Sequence, residues 1–372
     1  RGNLGLDALG LAAVTGQAPA DLLSAQRERV TTVLRDWPSV RALTVDVLPY
    51  HEAGASDVDE IALAVATGVG HLRDLEEAGV SPADAFGQID FRVSATADQF
   101  LTIARLRALR RVWARVGEVC GVPADLRGAR QHAVTSWRML SRDDAYVNVL
   151  RATSATFAAA AGGAEAITVL PFDTLHGLPN AFSRRLARNV QIVLAEESNI
   201  GRVNDPAGGS TYVESLTDQL AGRAWAWFQE IEAAGGYRAA LEAGLIAERV
   251  AQTRARRESD IAHRTFSVTG VNEFTNLAEK PLPVGVAEAV IVAQLLRCGH
   301  AERVLEFGIG RECHAFTRLI LVHERQVVEA QHDVLARHDD RLAVGRVQDV
   351  VGRHHQHAGL ELCLEAQRHV HG

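Results

Sequence analysis

Apolar and polar positions along the first 280 residues alternate between two patterns. Short runs rich in β-branched residues predict strands at residues 42–47, 89–93, 130–135 and 166–170. Longer segments with apolar residues at helical spacing predict helices at residues 57–78, 98–116, 144–161 and 181–197. Strands that alternate with helices in this way form parallel βαβ units with right-handed crossovers. The pattern therefore predicts an α/β fold with a parallel sheet.

The pattern becomes almost wholly helical after the last predicted strand and helix. Further helices are predicted at residues 212–234, 236–243 and 245–257. The stretch at residues 274–286 contains Pro281 and Pro283 and has no periodicity, which is typical of a linker. We therefore divide the chain into an α/β and helical part at residues 1–275, a linker at residues 276–286 and an unassigned tail at residues 287–372.

The tail differs in composition from the rest of the chain, because ten of the 15 histidines lie in the last 73 residues. One explanation is a metal site built on His354, His355 and His357, since imidazole clusters bind zinc or nickel. A second is a structural tail with incidental histidines. A third is a frame-shifted translation of a GC-rich gene. No repeat or paired-cysteine spacing accompanies the change, which favours the third explanation.

The overall composition excludes several classes of protein. Hydrophobic residues make up 47% of the chain and charged residues 23%, which is typical of a globular protein. A net charge of -7 argues against binding to nucleic acid or to an anionic membrane surface. Charged residues interrupt each apolar run before it could span a bilayer. The four cysteines include no C-x-x-C pair, so we expect free thiols in a reducing cytoplasm.

Two candidate sites lie at predicted strands. Tyr50 and His51 follow the first strand, and in a parallel barrel the C-terminal ends of the strands carry the active site. A strand-end turn is the alternative for this pair, and spacing alone favours it. Arg130 and His132 lie on one face of the third strand and are able to converge on an anionic ligand. A hydrogen-bonded structural role is more usual for a single strand histidine.

A third candidate lies in the loop at residues 205–210, which reads D-P-A-G-G-S and precedes a predicted helix. Backbone amides at such a position can cradle a phosphate. The loop lacks the spacing and the lysine of a P-loop, and the same residues form a good turn with Ser210 as the N-cap of the helix. The turn is the favoured interpretation.

Six strings, in this order along the chain, resemble the methylmalonyl-CoA mutase family. They are YHEAGA at 50–55, FLTIARLRALRRVWA at 100–114, GLPNAFSRRLARNVQ at 177–191, AEESNIGRVNDPAGGS at 195–210, YVE at 212–214 and FQEIEAAGG at 228–236. The resemblance covers about residues 1–281. It implies the C-terminal part of a (β/α)8 TIM barrel followed by a helical region, in which acyl-CoA runs along the barrel axis. The first methionine is Met139, and we expect an N-terminally truncated fragment that enters the barrel around its sixth strand.

The resemblance also bears on the cofactor. Catalytic chains of the family bind adenosylcobalamin in a separate C-terminal domain, through a D-x-H-x-x-G loop whose histidine ligates cobalt. This sequence contains no such loop. We therefore expect adenosylcobalamin in the complex, with no cofactor-binding residue and no metal ligand in this chain.

Within the family, some bacterial enzymes are heterodimers of a catalytic large chain and a related small chain without activity, and this sequence resembles the small chain. Catalytic chains carry Gly-Tyr-His and two further residues before Glu-Ala-Gly-Ala. Here His51 is followed directly by Glu52, so Tyr50 and His51 are candidates for the substrate-contacting pair only across a two-residue gap. A His-Thr-Asn stretch of the catalytic chains reads Thr-Val-Leu at residues 168–170, so a polar pocket strand has become apolar.

Other positions keep the catalytic pattern. Arg130, His132, Thr135 and Ser136 match the family's R-x-H-x-x-T-S and are the substrate-binding candidates, although the intervening Gln is Val134 here. Two functions follow from the resemblance. In the first, the chain is the non-catalytic partner of a large mutase subunit that interconverts methylmalonyl-CoA and succinyl-CoA, an isomerase of propionate metabolism. In the second, it is a catalytic acyl-CoA mutase chain whose cobalamin domain lies on a separate polypeptide. The apolar replacements favour the first.

Overall fold

A single parallel sheet organises the computed structural model, which describes residues 2–15, 20–280 and 282. Its strands are β1 (Gly2–Leu6), β2 (Val40–Asp46), β3 (Ile89–Ala95), β4 (Arg130–Thr135) and β5 (Ala166–Thr168). Strands that are neighbours in sequence are neighbours in the sheet, and every pairing is parallel. Consecutive parallel strands joined by helices are the building units of a (β/α)8 barrel. The predicted fold class, part of a TIM barrel followed by a helical region, is confirmed.

Helices connect successive strands and continue beyond the last one. They are α1 (Ala8–Thr15), α2 (Ala20–Asp36), α3 (Leu48–Ala53), α4 (Asp57–Glu77), α5 (Pro82–Gly87), α6 (Gln99–Val119), α7 (Val147–Ala161), α8 (Ala181–Ile192), α9 (Thr211–Ala233), α10 (Tyr237–Glu242) and α11 (Leu245–Ala262). Helix α9 packs against both α4 and α6. It therefore joins two helices that are separated in sequence by β3.

The four predicted strands are present, with ends that differ by at most a few residues, whereas β1 and the first two helices were not predicted. Residues 2–6 read G-N-L-G-L, a sequence with weak strand preference that becomes a strand because it pairs with β2. The expectation that the chain enters the barrel around its sixth strand is wrong. Such a start would leave three strands of eight, and five are present among the described residues.

The arginine-rich face of α6, which the pattern alone predicts to be solvated, is so only in part, because the side chains of Arg111 and Arg115 are 62% and 58% exposed whereas that of Arg107 is 13% exposed beside α9. Arg107 donates a hydrogen bond of 2.5 Å to Glu214 of α9 and also pairs with Asp205. Arg111 pairs with Asp218, one turn further along α9. An amphipathic pattern identifies the charged face of a helix but cannot show which other element carries the opposite charges.

Beyond α11, residues 263–280 contain no helix or strand apart from one isolated bridge between Thr269 and Glu273. The first part of the predicted linker falls in this irregular stretch. The rest of the linker and the tail at residues 287–372, with the histidine cluster at residues 354–357, lie outside the described residues. Within the described residues, no helix combines the length and the apolar character needed to cross a membrane.

The core beneath α4 and α6 is built around Trp113, which is fully buried. Its ring stacks on Phe86 at 4.3 Å between centroids and meets the edge of Phe91 at 4.9 Å. Gly68 of α4 lies against the same indole, where an added Cβ would be 2.7 Å from the nearest ring carbon. A methyl group cannot fit at that distance unless the aromatic cluster moves.

This close approach leads to a prediction with a matched control. Gly68→Ala should lower the free energy of unfolding by about 1–3 kcal/mol, because overpacking outweighs the better helix propensity of alanine. Gly222→Ala in α9 should raise it by about 0.5–1 kcal/mol, because an added Cβ there has no heavy atom within 4 Å. Urea unfolding of the two variants tests this. Equal effects of the two substitutions would contradict the described packing.

Candidate functional site

The C-terminal ends of β2, β3 and β4 meet at one edge of the sheet, where barrel enzymes place their functional groups. The string YHEAGA follows β2 as the short helix α3, with Pro49 in its first turn. The helix ends at Gly54, whose φ of 118° favours glycine. A Cβ on Gly54 would also lie 2.5 Å from the Cβ of Arg254 in α11. Backbone geometry and close packing thus both require glycine at this turn.

His51 lies at the centre of this edge and is fully buried. Its Nδ1 is 2.5 Å from Oε1 of Glu60, at the start of α4. Its Nε2 is 2.7 Å from Oγ of Ser136, the residue after β4. Both ring nitrogens are therefore engaged inside the protein, and His51 joins the ends of two strands to α4.

Glu60 is the acceptor for most of the polar groups here. Arg105 of α6 donates to its Oε1 at 2.7 Å, and the Ser94 hydroxyl donates to its Oε2 at 2.9 Å. Burial alone would raise the pKa of Glu60, but the charge of Arg105 and the contact with His51 hold it at about 2. We call His51, Glu60, Ser94, Arg105 and Ser136 the Glu60 cluster.

Residues around the Glu60 cluster connect the loops after β2 and β4. The Glu52 carboxylate accepts a hydrogen bond of 3.1 Å from the backbone N–H of Trp137. In return, the Arg138 guanidinium donates to the carbonyls of His51 at 2.6 Å and Ala55 at 3.0 Å. Burial raises the pKa of Glu52. The two loops therefore hold each other in place through reciprocal bonds between side chain and backbone.

Tyr50, the other residue of the candidate pair, points to a different neighbour. Its hydroxyl is hydrogen-bonded to that of Tyr237 at the start of α10, and both side chains are buried. The Tyr237 hydroxyl also donates to the carbonyl of Leu9 at 3.3 Å. Burial raises the pKa of Tyr50 well above its usual value. The structure therefore separates Tyr50 and His51 into two different hydrogen-bond networks.

The four substrate-binding candidates are distributed along β4. Thr135 and Ser136 lie at its C-terminal end, and the Thr135 Oγ1 accepts a hydrogen bond of 2.8 Å from the backbone N–H of Leu170. Arg130 lies at the opposite end, five residues away, which is about 16 Å in a strand. Its Nε is 3.8 Å from Oδ1 of Asp90. The structure therefore does not bring Arg130 to the end of the strand where Ser136 lies.

His132 lies between these ends of β4. Its Nε2 is 2.8 Å from Oγ1 of Thr168 on β5. In the register of the sheet it is the partner of Arg92, which forms a 3.3 Å ion pair with Asp46 of β2. Burial raises the pKa of Asp46 to about 6. Polar pairs thus connect neighbouring strands on the face of the sheet that carries His132.

The loop at residues 205–210 has the geometry of a turn with an N-cap. The Ser210 hydroxyl accepts from the backbone N–H of Val213 at 3.5 Å, at the start of α9. The N–H of Gly209 donates to the Glu214 carboxylate at 3.1 Å, and the N–H of Gly208 donates to the Asp205 carbonyl at 2.9 Å. These amides already have partners, two of them from acidic residues, which supports the turn over a phosphate site.

Little empty space accompanies these groups. A cavity lined by Glu60, Arg105 and Gln131 has no room for a water-sized sphere. A second, between α7 and α8, has room for about 10 Å³, which is at most one water. In the part of the chain that the structure describes, no three His, Cys, Asp or Glu side chains converge as a metal site. The arrangement is chemically suited to cross-linking the loops.

Glu60, Ser94 and Arg105 were not singled out from the sequence. A usable signal existed for two of them, because Arg105 lies at helical spacing with Thr102 and Leu109, on a face that is otherwise buried. Glu60 similarly precedes Ala64 by one turn on the buried side of α4. Opposite charges on the apolar faces of two neighbouring helices are a pattern that indicates a buried ion pair.

The buried ion pair leads to a prediction. Glu60→Gln should lower the free energy of unfolding by about 3–5 kcal/mol near neutral pH, because it removes the only fully buried carboxylate that Arg105 contacts in the described residues and leaves that charge with the part-exposed Asp57 and the Ser94 carbonyl. Ser136→Ala, which removes one hydrogen bond from His51, should cost only about 1–3 kcal/mol. Chemical unfolding of both variants beside the unsubstituted chain measures these costs. Equal costs would show that Glu60 and Arg105 do not depend on each other.

The loss of stability caused by Glu60→Gln should depend on pH. The folded pKa of Glu60, about 2, lies below its ordinary value of 4.5. The ionised carboxylate therefore stabilises the fold above pH 4.5, and this contribution is lost as pH falls from 4.5 towards 2. The cost of Glu60→Gln should shrink when unfolding is repeated at the lower end of this range. A loss of stability that does not change with pH would contradict the low pKa of Glu60 in the folded protein.

Comparison with known proteins identifies the family. Residues 5–302 match the family model described as methylmalonyl-CoA mutase. This match runs past residue 281, where the sequence strings placed the end of the resemblance.

Relatives agree with the family model. The chain is 54% identical over 315 residues to the methylmalonyl-CoA mutase small subunit of Streptomyces virginiae, which covers 84% of this chain and 51% of that protein. It is 51% identical over 299 residues to the small subunit of Propionibacterium freudenreichii subsp. shermanii, covering 77% and 45%. The methylmalonyl-CoA mutase of Escherichia coli is 35% identical over 280 residues, covering 70% and 39%. The chain thus spans about half the length of the small subunits it matches. With most of its residues matched by the family model and half of the aligned positions identical to small subunits, the chain belongs to the methylmalonyl-CoA mutase family and resembles its small subunits.

Proposed function

We propose that this chain is part of the non-catalytic small subunit of an adenosylcobalamin-dependent mutase that interconverts methylmalonyl-CoA and succinyl-CoA. Its partner is a homologous large catalytic subunit, with which it forms a heterodimer in the cytoplasm. The isomerase activity belongs to the complex, and the chain alone is inactive. Similarity to proteins named as small subunits supports this proposal.

The observation that carries the proposal is the Glu60 cluster. In barrel enzymes, side chains at the C-terminal edge of the sheet face a bound substrate. Here His51 is fully buried, and both of its ring nitrogens are bonded to protein atoms. A substrate carbonyl could reach His51 only by displacing Glu60 or Ser136. Displacing either would leave a buried polar group unpaired, at a cost of about 1–3 kcal/mol or more.

One departure from the catalytic pattern supports the same role. Val134 lies on the same face of β4 as His132, is buried, and replaces a polar residue of that pattern. An apolar side chain cannot hold a polar substrate group by hydrogen bonds, so this replacement fits a barrel that no longer binds the acyl group. Val169 also replaces a polar residue, but it packs with Ala152 of α7 and Ala187 of α8 and so faces the helices.

The D-x-H-x-x-G loop, through which catalytic chains of the family ligate cobalt, is absent from the sequence. Of the five histidines in the described residues, His51 and His71 are fully buried, and each has both ring nitrogens within hydrogen-bond distance of a protein side chain. We therefore assign the cofactor to the large subunit, and no step of the reaction to this chain.

The alternative is a catalytic acyl-CoA mutase chain whose cobalamin domain lies on a separate polypeptide. One observation favours it, because Arg130, His132, Thr135 and Ser136 keep the residue types of the catalytic R-x-H-x-x-T-S. Of these, His132 is only half-buried and lies on the same strand face as Arg130. The two functions differ in whether this barrel binds acyl-CoA without the large subunit.

Calorimetry with three titrants separates these functions. Titration of the chain with the purified large subunit should give one-to-one binding, as expected for a heterodimer. Titration with methylmalonyl-CoA or with adenosylcobalamin, each without the large subunit, should give no binding heat, because the polar groups at the sheet edge are already paired. Saturable binding of methylmalonyl-CoA to the isolated chain would contradict the non-catalytic role and support the alternative.

A further inference from the structure

Two side chains in the loop after β5 have buried polar atoms without a bonding partner. Asp173 is 9% exposed, and its Oδ1 has no hydrogen-bond partner among the described residues. His176 is half-buried, and its Nε2 atom is likewise buried and unpartnered. The loop follows the C-terminal end of β5, which is parallel to β4, and so lies at the same edge of the sheet as the Glu60 cluster. We call Asp173 and His176 the β5-loop pair.

Other buried carboxylates of the protein have a partner. Five carboxylates are buried in the described residues. The four besides Asp173 each pair with an arginine or a histidine, namely Asp7 with His71, Asp59 with Arg249, Glu60 with Arg105 and Asp74 with Arg27. A buried carboxylate with no compensating charge or hydrogen bond is costly. Asp173 therefore requires a donor or a cation that the described residues do not supply.

The backbone of the loop places the two side chains of the β5-loop pair on the same side. Thr174–His176 form one 3-10 turn with Asp173 as its N-cap, and the backbone N–H of His176 donates to the Asp173 carbonyl at 2.8 Å. Side chains at positions i and i+3 of a 3-10 helix are eclipsed. The Asp173 carboxylate makes no capping hydrogen bond to this turn. The turn therefore forms through its backbone, and both side chains are available to a ligand.

Contacts on either side hold the loop in place. Asn148 of α7 donates from Nδ2 to the Phe172 carbonyl at 3.0 Å, and the Phe172 ring stacks on Tyr146 with 4.9 Å between the ring centroids. The Thr174 hydroxyl donates to the Pro171 carbonyl at 2.5 Å. A loop that is already ordered loses little conformational entropy when it binds a ligand, and this favours affinity.

We propose that Asp173 and His176 bind a divalent transition-metal ion of the zinc type. Carboxylate oxygen and imidazole nitrogen are both zinc ligands, and a carboxylate and a histidine at positions i and i+3 can share one metal. Magnesium and calcium take oxygen ligands and would leave the imidazole unused. A zinc ion would accept lone pairs from both unpartnered atoms and compensate the buried charge of Asp173.

Two protein ligands leave coordination positions open at this site. No third His, Cys, Asp or Glu of the described residues joins the β5-loop pair as a metal ligand. Water or donors outside the described residues therefore complete the coordination. The pattern D-x-x-H at residues 173–176 was not singled out from the sequence, and the family resemblance implied no metal ligand in this chain.

Hydrogen exchange of the full chain with and without Zn²⁺ tests the site locally. Exchange in peptides that contain residues 170–178 should slow when Zn²⁺ is added, because coordination by both side chains opposes opening of the turn. Asp173→Asn and His176→Gln should each abolish this protection. The histidine-rich tail could also bind zinc, so the matched control is a chain with His354, His355 and His357 all replaced by Gln, which should keep the protection. Protection that survives Asp173→Asn and His176→Gln, or no protection in the unsubstituted chain, would overturn the proposal.

Thermal unfolding in the background of the three tail substitutions separates a metal ligand from a structural residue. In EDTA, Asp173→Asn should melt no lower than the chain that keeps Asp173, because it replaces an uncompensated carboxylate by a neutral side chain of nearly the same shape. With Zn²⁺ at about 100 times its dissociation constant, the chain that keeps Asp173 should melt about 3 °C or more above its value in EDTA, and Asp173→Asn should lose this increase. An Asp173→Asn variant that melts lower by the same margin in EDTA and in Zn²⁺ would show a purely structural role and contradict the proposal.

Discussion

The ion pair between Glu60 and Arg105 is the interaction on which this edge of the protein depends. Both side chains are buried, and each lowers the cost of burying the other's charge, with Asp57 as a second, part-exposed partner of Arg105. Glu60 lies at the start of α4 and Arg105 in the first half of α6, so the pair fixes two helices relative to the sheet. Ser94 at the end of β3 contacts both members, through its hydroxyl and its carbonyl. The pair thus connects α4 and α6 to the C-terminal end of β3.

Several features of the sheet edge follow from this constraint. His51 contacts Glu60 through Nδ1 and Ser136 through Nε2. The loops after β2 and β4 are therefore both connected to the Glu60 carboxylate. Two further hydrogen bonds connect these loops, one from the Trp137 N–H to the Glu52 carboxylate and one from Arg138 to the His51 carbonyl. An internally paired edge suits the proposed role of a subunit that supports a catalytic partner, because it keeps the barrel folded without bound substrate. Under that proposal, groups that would face the substrate in a catalytic chain serve here to hold the fold.

Local patterns in the sequence predict the strands and helices well where the pattern is strong. Strand β4 occurs at the residues predicted from its alternation, and α9 differs by one residue at each end. Strand β1 has no such pattern and forms only because β2 lies beside it. The site was harder to predict for the same reason. His51 was visible in the sequence, but its partners Glu60 and Ser136 lie 9 and 85 residues away.

The same limit explains the arginines of α6. Their periodicity shows a charged face, yet Arg107 on that face pairs with α9, a helix more than 100 residues later in the chain, and Arg105 pairs within the core from the opposite face. Whether a charge meets water or a carboxylate depends on elements that are distant in sequence. The family resemblance predicted the barrel fold. It could not show that Tyr50 and His51 belong to separate hydrogen-bond networks.

The central claim is that polar groups at the sheet edge hold the fold and do not act on substrate. It is tested most directly by the turnover of the assembled complex when this chain carries Ser136→Ala or His51→Gln. Both kcat and KM for methylmalonyl-CoA, measured per assembled heterodimer, should equal those of the unsubstituted complex, even though the variant chain unfolds at lower denaturant concentration. A loss of kcat by tenfold or more in a complex that assembles normally would contradict the account and place these residues in a working active site.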